Sequence, residues 1–162
     1  MEINSQIRGL VEDFARTLGM EGLAFDSDGF IELRIGTDLH VSLGVTPRQE
    51  ALVLAAEVRP DADRIPPRLL RRILITNSRL ASRKAPSFAI VPNVRALLLQ
   101  QRIPIADLDY PQFETLWLDF LETHGKAVSA LAALMPDQEQ KSESDATVGP
   151  KLQDELGGFL RV

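Results

Sequence analysis

Apolar residues recur at helical spacing from Asn4 to Leu18, where Ile7, Leu10, Val11, Phe14 and Leu18 fall on one face. Asn4 or Ser5 is placed to cap the start and Gly19 to end the helix in the left-handed conformation, so the spacing predicts an amphipathic helix. The period then changes to two. Leu23-Ala24-Phe25 and Phe30 to Ile35 flank Asp26-Ser27-Asp28-Gly29, whose Asp-Gly pair suits a hairpin turn, so a strand is expected on each side. Across Asp38 to Thr46, Leu39, Val41, Leu43 and Val45 alternate with His40, Ser42 and Gly44. After a turn at Pro47-Arg48-Gln49 the alternation continues through Leu52, Leu54, Ala56 and Val58, which predicts a three-stranded antiparallel meander.

Arg59 to Pro67 reads as a loop whose prolines preset a helix from Arg68 onward, with Leu69, Leu70, Ile73 and Leu74 on one face and fraying near Asn77. Ser87 to Val91 and Val94 to Arg102 read as two more strands joined at Pro92-Asn93, with Leu97-Leu98-Leu99 apolar on both faces. Asp109 and Gln112 form a capping box before a long helix that places Phe113, Leu116, Trp117, Phe120, Leu121, Val128 and Leu131 on one side and softens at Gly125. The expected order is α-β-β-β-α-β-β-α, an α+β fold with a twisted antiparallel sheet flanked by helices.

A length of 162 residues supplies one core but not two. Pro136 to Asp145 holds no large apolar residue and cannot offset the entropy of ordering itself, whereas Leu152, Leu156, Phe159, Leu160 and Val162 bring hydrophobicity back. Residues 1–135 are therefore expected to fold, and residues 136–162 to form a flexible acidic and polar tail with a short apolar end. Apolar residues at 44% and charged residues at 25% exclude global disorder and fibrous structure. No apolar stretch, that between Arg95 and Gln100 included, is long enough to span a bilayer. The start of the chain lacks the basic region and apolar core of a signal peptide, so a cytoplasmic location is expected. A net charge of −5 and a pI near 5.1 oppose contact with a phosphate backbone, so nucleic acid is not an expected partner. The absence of cysteine removes disulfides, thiolate metal sites and cysteine nucleophiles.

Candidate chemistry is thin. Asp26-Ser27-Asp28-Gly29-Phe30-Ile31 has the look of a calcium loop, but with Gly29 as its glycine the first ligand position is Ala24 and the twelfth is Ile35, so both key carboxylates are missing. His40 and His124 are far apart with no zinc-binding spacing and read as structural, with acid-base work as the second reading. Asp109 is explained by capping. No phosphate-binding glycine motif and no GxSxG occurs, so neither enzymatic activity nor a metal or cofactor is expected. Arg64, Arg68, Arg71, Arg72, Arg79, Arg83 and Lys84 concentrate positive charge without interleaved aromatic residues, as in a solvated helix face or a contact for acidic residues of a partner.

The sheet carries the more informative oddity. Phe30, Ala51, Val53 and Ala55 lie opposite Leu33, Leu52 and Leu54, so both faces are apolar. Either helices cover both faces, or one face is a shallow surface of small side chains on which another chain can lie. The opening helix with Leu10-Val11-Glu12-Asp13-Phe14 and Leu18-Gly19, the turn Phe25-Asp26-Ser27-Asp28-Gly29, the strand Leu39-His40-Val41-Ser42 and the last helix with Phe113, Leu116 and Leu121 carry a resemblance. From Asn4 to about Leu134 the chain resembles the class I type III secretion chaperones, the CesT-like or Tir chaperone family.

The resemblance implies a bacterial cytoplasmic homodimer that holds the N-terminal segment of effector proteins in extended form and keeps them soluble and export-competent. Carried over to this sequence, the dimer contact falls on Leu69, Leu70, Ile73 and Leu74 with Phe88 and Ile90. The effector surface falls on the first helix and the sheet, at Leu10, Phe14, Phe30, Ala51, Val53 and Ala55. Release would draw on an outside energy source, which the resemblance identifies as the secretion ATPase. The tail from Pro136 departs from the compact pattern and resembles the longer, multi-effector HpaB-like chaperones. The alternative is a regulatory or protein-binding module of the same fold without a secretion role, as in the YbjN-like proteins.

Overall fold

A computed structural model describes residues 3–20, 22–81, 85–91 and 94–135. Helix α1 spans Ser5–Leu18 and is followed by strands β1 (Phe30–Ile35), β2 (Leu39–Val45) and β3 (Ala51–Arg59). A short 3₁₀ turn at Ala62–Arg64 leads into α2 (Pro67–Ala81), then β4 (Ser87–Val91), β5 (Ala96–Pro104) and α3 (Tyr110–Leu134). The expectations for Pro92-Asn93, Arg83, Lys84 and the tail from Pro136 lie outside the described residues.

Local signals account for the helix ends. The Asn4 side chain accepts a hydrogen bond from the Gln6 N–H at 2.8 Å, and Gly19 closes α1 at φ +66°, a conformation that side chains with a Cβ resist. At α3 the capping box forms as expected: Asp109 accepts from the Gln112 N–H at 2.8 Å, and the Gln112 side chain accepts from the Asp109 N–H.

The five strands form one antiparallel sheet in the order β1-β2-β3-β5-β4. Its register puts Ile31, Leu43 and Leu54 in line on one face, with Leu33, Val41, Ala56 and Leu99 beside them. All three helices pack on that side: Ile7 and Phe14 of α1, Leu69 and Ile73 of α2, and Phe113, Trp117 and Phe120 of α3 join these strand residues in a single core. Phe14 is its hinge piece, edge-on to Phe113 at 5.3 Å and to Trp117 at 5.0 Å between ring centroids.

Four expectations are corrected. Leu23 to Phe25 is not a strand. The turn is instead held by the Asp26 carboxylate, which accepts from the Asp28 and Phe30 N–H groups, while Gly29 takes φ +86°. Helix α2 starts at Pro67 and continues past Asn77 to Ala81, because Asn77 gains a tertiary partner described below. Strand β5 begins at Ala96 and runs to Pro104. On α3, His124 and Ala127 are buried where Val128 had been expected, and Val128 is 37% exposed, since the helix turns its stripe toward β3. The helix is unbroken at Gly125.

Candidate protein-binding surfaces

Side chains blunt parts of both outer edges of the sheet. At the β4 edge, Asn77 of α2 donates to the Phe88 carbonyl at 2.8 Å and accepts from the Phe88 N–H at 2.8 Å. A carboxamide thus replaces a neighbouring strand at this residue and ties α2 to the sheet. At the β1 edge, Asp26 plays the same part toward Phe30: its side chain accepts from the Phe30 N–H and its own N–H donates to the Phe30 carbonyl, both at 2.8 Å. Neither role is visible in the pattern of apolar residues, although an Asx residue before a strand is a weak pointer to the second.

The face of the sheet turned away from the helices carries Phe30, Ala51, Val53 and Ala55, together with Ala96 and Leu98 of β5 and Val91 of β4. Phe30, Ala55, Val91, Ala96 and Leu98 form a second apolar cluster separate from the main core, with Val94 packed against it. Its centre is lined by small residues, with Ala55 opposite Ser42 and Val53 opposite Gly44. Leu10 and Phe14 are on the other side of the sheet, at 6% and 2% exposure under α3. The six residues expected to bind an effector therefore do not share a surface: four stand together on this face, and two are core.

Polar groups frame the same face. The Ser42 hydroxyl donates to Glu32, and burial pushes the Glu32 carboxyl above its usual range against the opposing pull of that bond and of His40. Burial, then the nearby Asp61 charge, raises Glu57 as well. Arg102 is held by Glu50 at 2.7 Å at the exposed rim. His124 bonds through Nε2 to the Glu57 carbonyl at 2.6 Å, which requires the proton on Nε2 and anchors α3 where the β3–β5 pairing shifts register after Glu57. This is a structural use of the imidazole. Among the described residues no group of three His, Asp or Glu side chains is placed to hold a metal ion. None of the described helices is long and apolar enough to cross a membrane.

A second surface lies on α2 and β4. Leu69 and Ile73 point into the core, Leu70 and Phe88 are half-buried, and Leu74 and Ile90 stand 67% and 41% exposed. Ile75, which the helical pattern did not single out, is 46% exposed on α2. Arg68, Arg71 and Arg72 are exposed on the same helix, while Arg64 pairs with Asp61 at 3.8 Å. A third feature replaces the missing strand: Leu23, Ala24 and Phe25 line a cleft of about 320 Å³ against Ile3, Val11 and Arg8 at the start of α1.

Apolar surfaces on a sheet face and on a helix-strand edge suit the holding of another chain. Residues 9–126 match the Tir chaperone protein (CesT) family. The chain belongs to the Tir chaperone family. Its fold is shared with structures of type III secretion proteins. It superposes on a chain of the ExsC-ExsE complex with a TM-score of 0.71, at 23% identity over 81% of this chain and 97% of that one. It superposes on a chain of the HopA1-SchA chaperone-effector complex with a TM-score of 0.67, at 22% identity over 76% and 94%. For the Yersinia pestis type III secretion chaperone SycH in complex with a fragment of YscM2, the values are 0.58, 21%, 74% and 97%. No curated protein matches the sequence. For this Tir chaperone family member the α+β architecture expected from the sequence holds, helix by helix and strand by strand, apart from the corrections above.

Proposed function

We infer that this protein is a type III secretion chaperone that binds the N-terminal segment of effector proteins in the bacterial cytoplasm and keeps them soluble and export-competent. The family match over residues 9–126 carries this reading. The apolar sheet face supports it physically. It sets the small side chains of Ala51 and Ala55 beside Phe30, Val53 and Leu98, a composition that suits close approach of a second backbone. Each apolar contact contributes about 25 cal/mol per Å² removed from water, and ordering an extended segment consumes part of that gain. Binding is therefore tight but reversible, and detachment falls to the secretion ATPase.

Calorimetry with an effector N-terminal fragment tests the reading. Binding is expected to show a negative heat-capacity change and little dependence on salt. Val53→Glu, whose side chain would sit in the middle of the face, is expected to weaken binding at least tenfold, about 1.4 kcal/mol, while circular dichroism shows an unchanged fold. Equal affinity would remove the sheet face from the site. No binding by the parent to any effector fragment would remove the chaperone function itself.

The protein acts as a homodimer through α2 and β4. Leu74 and Ile90 are exposed and Leu70 and Phe88 half-buried on the two elements that Asn77 ties together, apolar surface that a second copy would cover. Light scattering is expected to give twice the chain mass, and Leu74→Asp with Ile90→Asp to give the monomer mass without loss of fold. Ile73 is a poor site for this test because it faces the core. A monomeric parent at micromolar concentration would refute the dimer.

A further inference from the structure

Helix α2 carries charge of one sign in an acidic protein. Between Pro67 and Ala81 it holds Arg68, Arg71, Arg72 and Arg79 and no carboxylate, whereas the whole chain has a net charge of −5. Arg16, Arg64, Arg95 and Arg102 each reach a carboxylate. Arg68, Arg71 and Arg72 are exposed, and among the described residues none of them is in an ion pair. The pattern is unfavourable for the free helix in two ways. Arg68 and Arg72 are four residues apart, where like charges repel, and cations near the start of a helix oppose its dipole, which favours acidic residues there.

The same two guanidiniums border a cleft of about 250 Å³ between the start of α2 and the end of α3. Pro66, Leu69 and Leu134 supply its apolar lining, and Leu134 is 43% exposed. A guanidinium offers a planar fork of N–H donors that matches a carboxylate, and the apolar lining suits an aliphatic side chain. Nucleic acid fits less well: α2 has no aromatic residue on which a base could stack, and the acidic remainder of the chain repels phosphate. The cleft is also separate from the surface proposed for a second copy. Leu70 and Leu74 come two residues after Arg68 and Arg72, which places them about 160° away around the helix axis.

We propose that the cleft of Arg68 and Arg72 is a docking site for an acidic segment of a partner protein, in which two carboxylates flank an aliphatic residue. The carboxylates take the two guanidiniums, and the aliphatic side chain lies against Pro66 and Leu134. Docking relieves the repulsion between the two arginines, is steered by opposite charge and weakens as salt screens it. It requires neither the effector reading nor the dimer, and it gives the protein a second hold whose chemistry differs from that of the apolar sheet face.

A fluorescently labelled peptide of alternating Glu and Leu residues, titrated with the full-length protein and followed by anisotropy, tests the site. The peptide is expected to bind at low salt and to bind about tenfold more weakly in about 0.5 M salt. Arg68→Ala with Arg72→Ala is expected to weaken binding about tenfold or more, with an unchanged circular dichroism spectrum and an unchanged mass in light scattering. Arg16→Ala with Arg48→Ala removes the same charge from other exposed positions and is expected to change the affinity less than about twofold. Equal losses from the two pairs would reduce the effect to net charge and overturn the site. A fall in mass for Arg68→Ala with Arg72→Ala would make the cleft a contact between copies and overturn it as well. So would failure of the parent to bind the peptide, or binding of a single-stranded oligonucleotide in its place with the same dependence on Arg68 and Arg72. In the sequence Asp137 and Glu139 follow closely on Leu134. Asp137→Asn with Glu139→Gln is expected to leave the peptide affinity unchanged; a gain of about tenfold would show that the chain supplies its own occupant and would overturn the docking of a partner.

Discussion

Replacing Phe14 by Ala removes the ring that joins α1 to α3. Phe14 is 2% exposed and lies edge-on to Phe113 at 5.3 Å and to Trp117 at 5.0 Å. Truncating a buried Phe to Ala costs about 3–5 kcal/mol, the lost transfer energy plus the cavity left behind. Two aromatic pairs are lost at once, so the upper half of that range is expected. Against a total stability of about 5–15 kcal/mol, the variant keeps its fold at neutral pH but with a much smaller margin. Trp117 is the only tryptophan and is 5% exposed, so its emission separates folded from unfolded chain without a label. Urea titration at fixed protein concentration is expected to lower the midpoint with little change in slope. Effector affinity, measured well below the unfolding transition, is expected to stay near that of the parent, because Phe14 is on the far side of the sheet from the proposed site. A loss below about 1 kcal/mol would refute the packing argument. A fully stable variant that no longer binds would put Phe14 in the site.

Two further outcomes follow from named contacts. Asn77→Ala removes both hydrogen bonds to Phe88 and is expected to cost about 1–3 kcal/mol, with faster hydrogen exchange of the Phe88 amide; unchanged protection there would mean that the edge is satisfied another way. Burial raises the Glu57 carboxyl above its usual 4.5, so the folded state holds its proton more tightly than the unfolded chain does. Stability present below pH 4.5 is therefore lost as pH rises through the folded-state pKa, and Glu57→Gln is expected to be relatively more stable near pH 7 than near pH 4. A difference between variant and parent that does not change with pH would show that Glu57 is as well solvated folded as unfolded.

What the amino-acid sequence determined by itself is what depends on neighbours along the chain. The period of 3.6 from Ile7 to Leu18, the period of two from Leu39 to Val58, the Asp109–Gln112 capping box and the glycine at position 19 act within a few residues, and each produced the element expected. The α+β class follows, because these elements in this order leave one apolar side of a sheet to be covered by helices. Tertiary structure decided what depends on residues far apart. Leu23 to Phe25 has the composition of a strand, but the Asp26 carboxylate takes up the Phe30 N–H, and the segment lies beside α1 instead. Asn77 looked like a helix end and became a tie between α2 and the sheet, because Phe88 presents two backbone groups eleven residues away. Most of all, alternation cannot assign faces when both sides of a strand are apolar. Only the register that aligns Phe30, Gly44 and Val53 on one side, and the helices that bury Leu10 and Phe14 on the other, separate the proposed binding surface from the core.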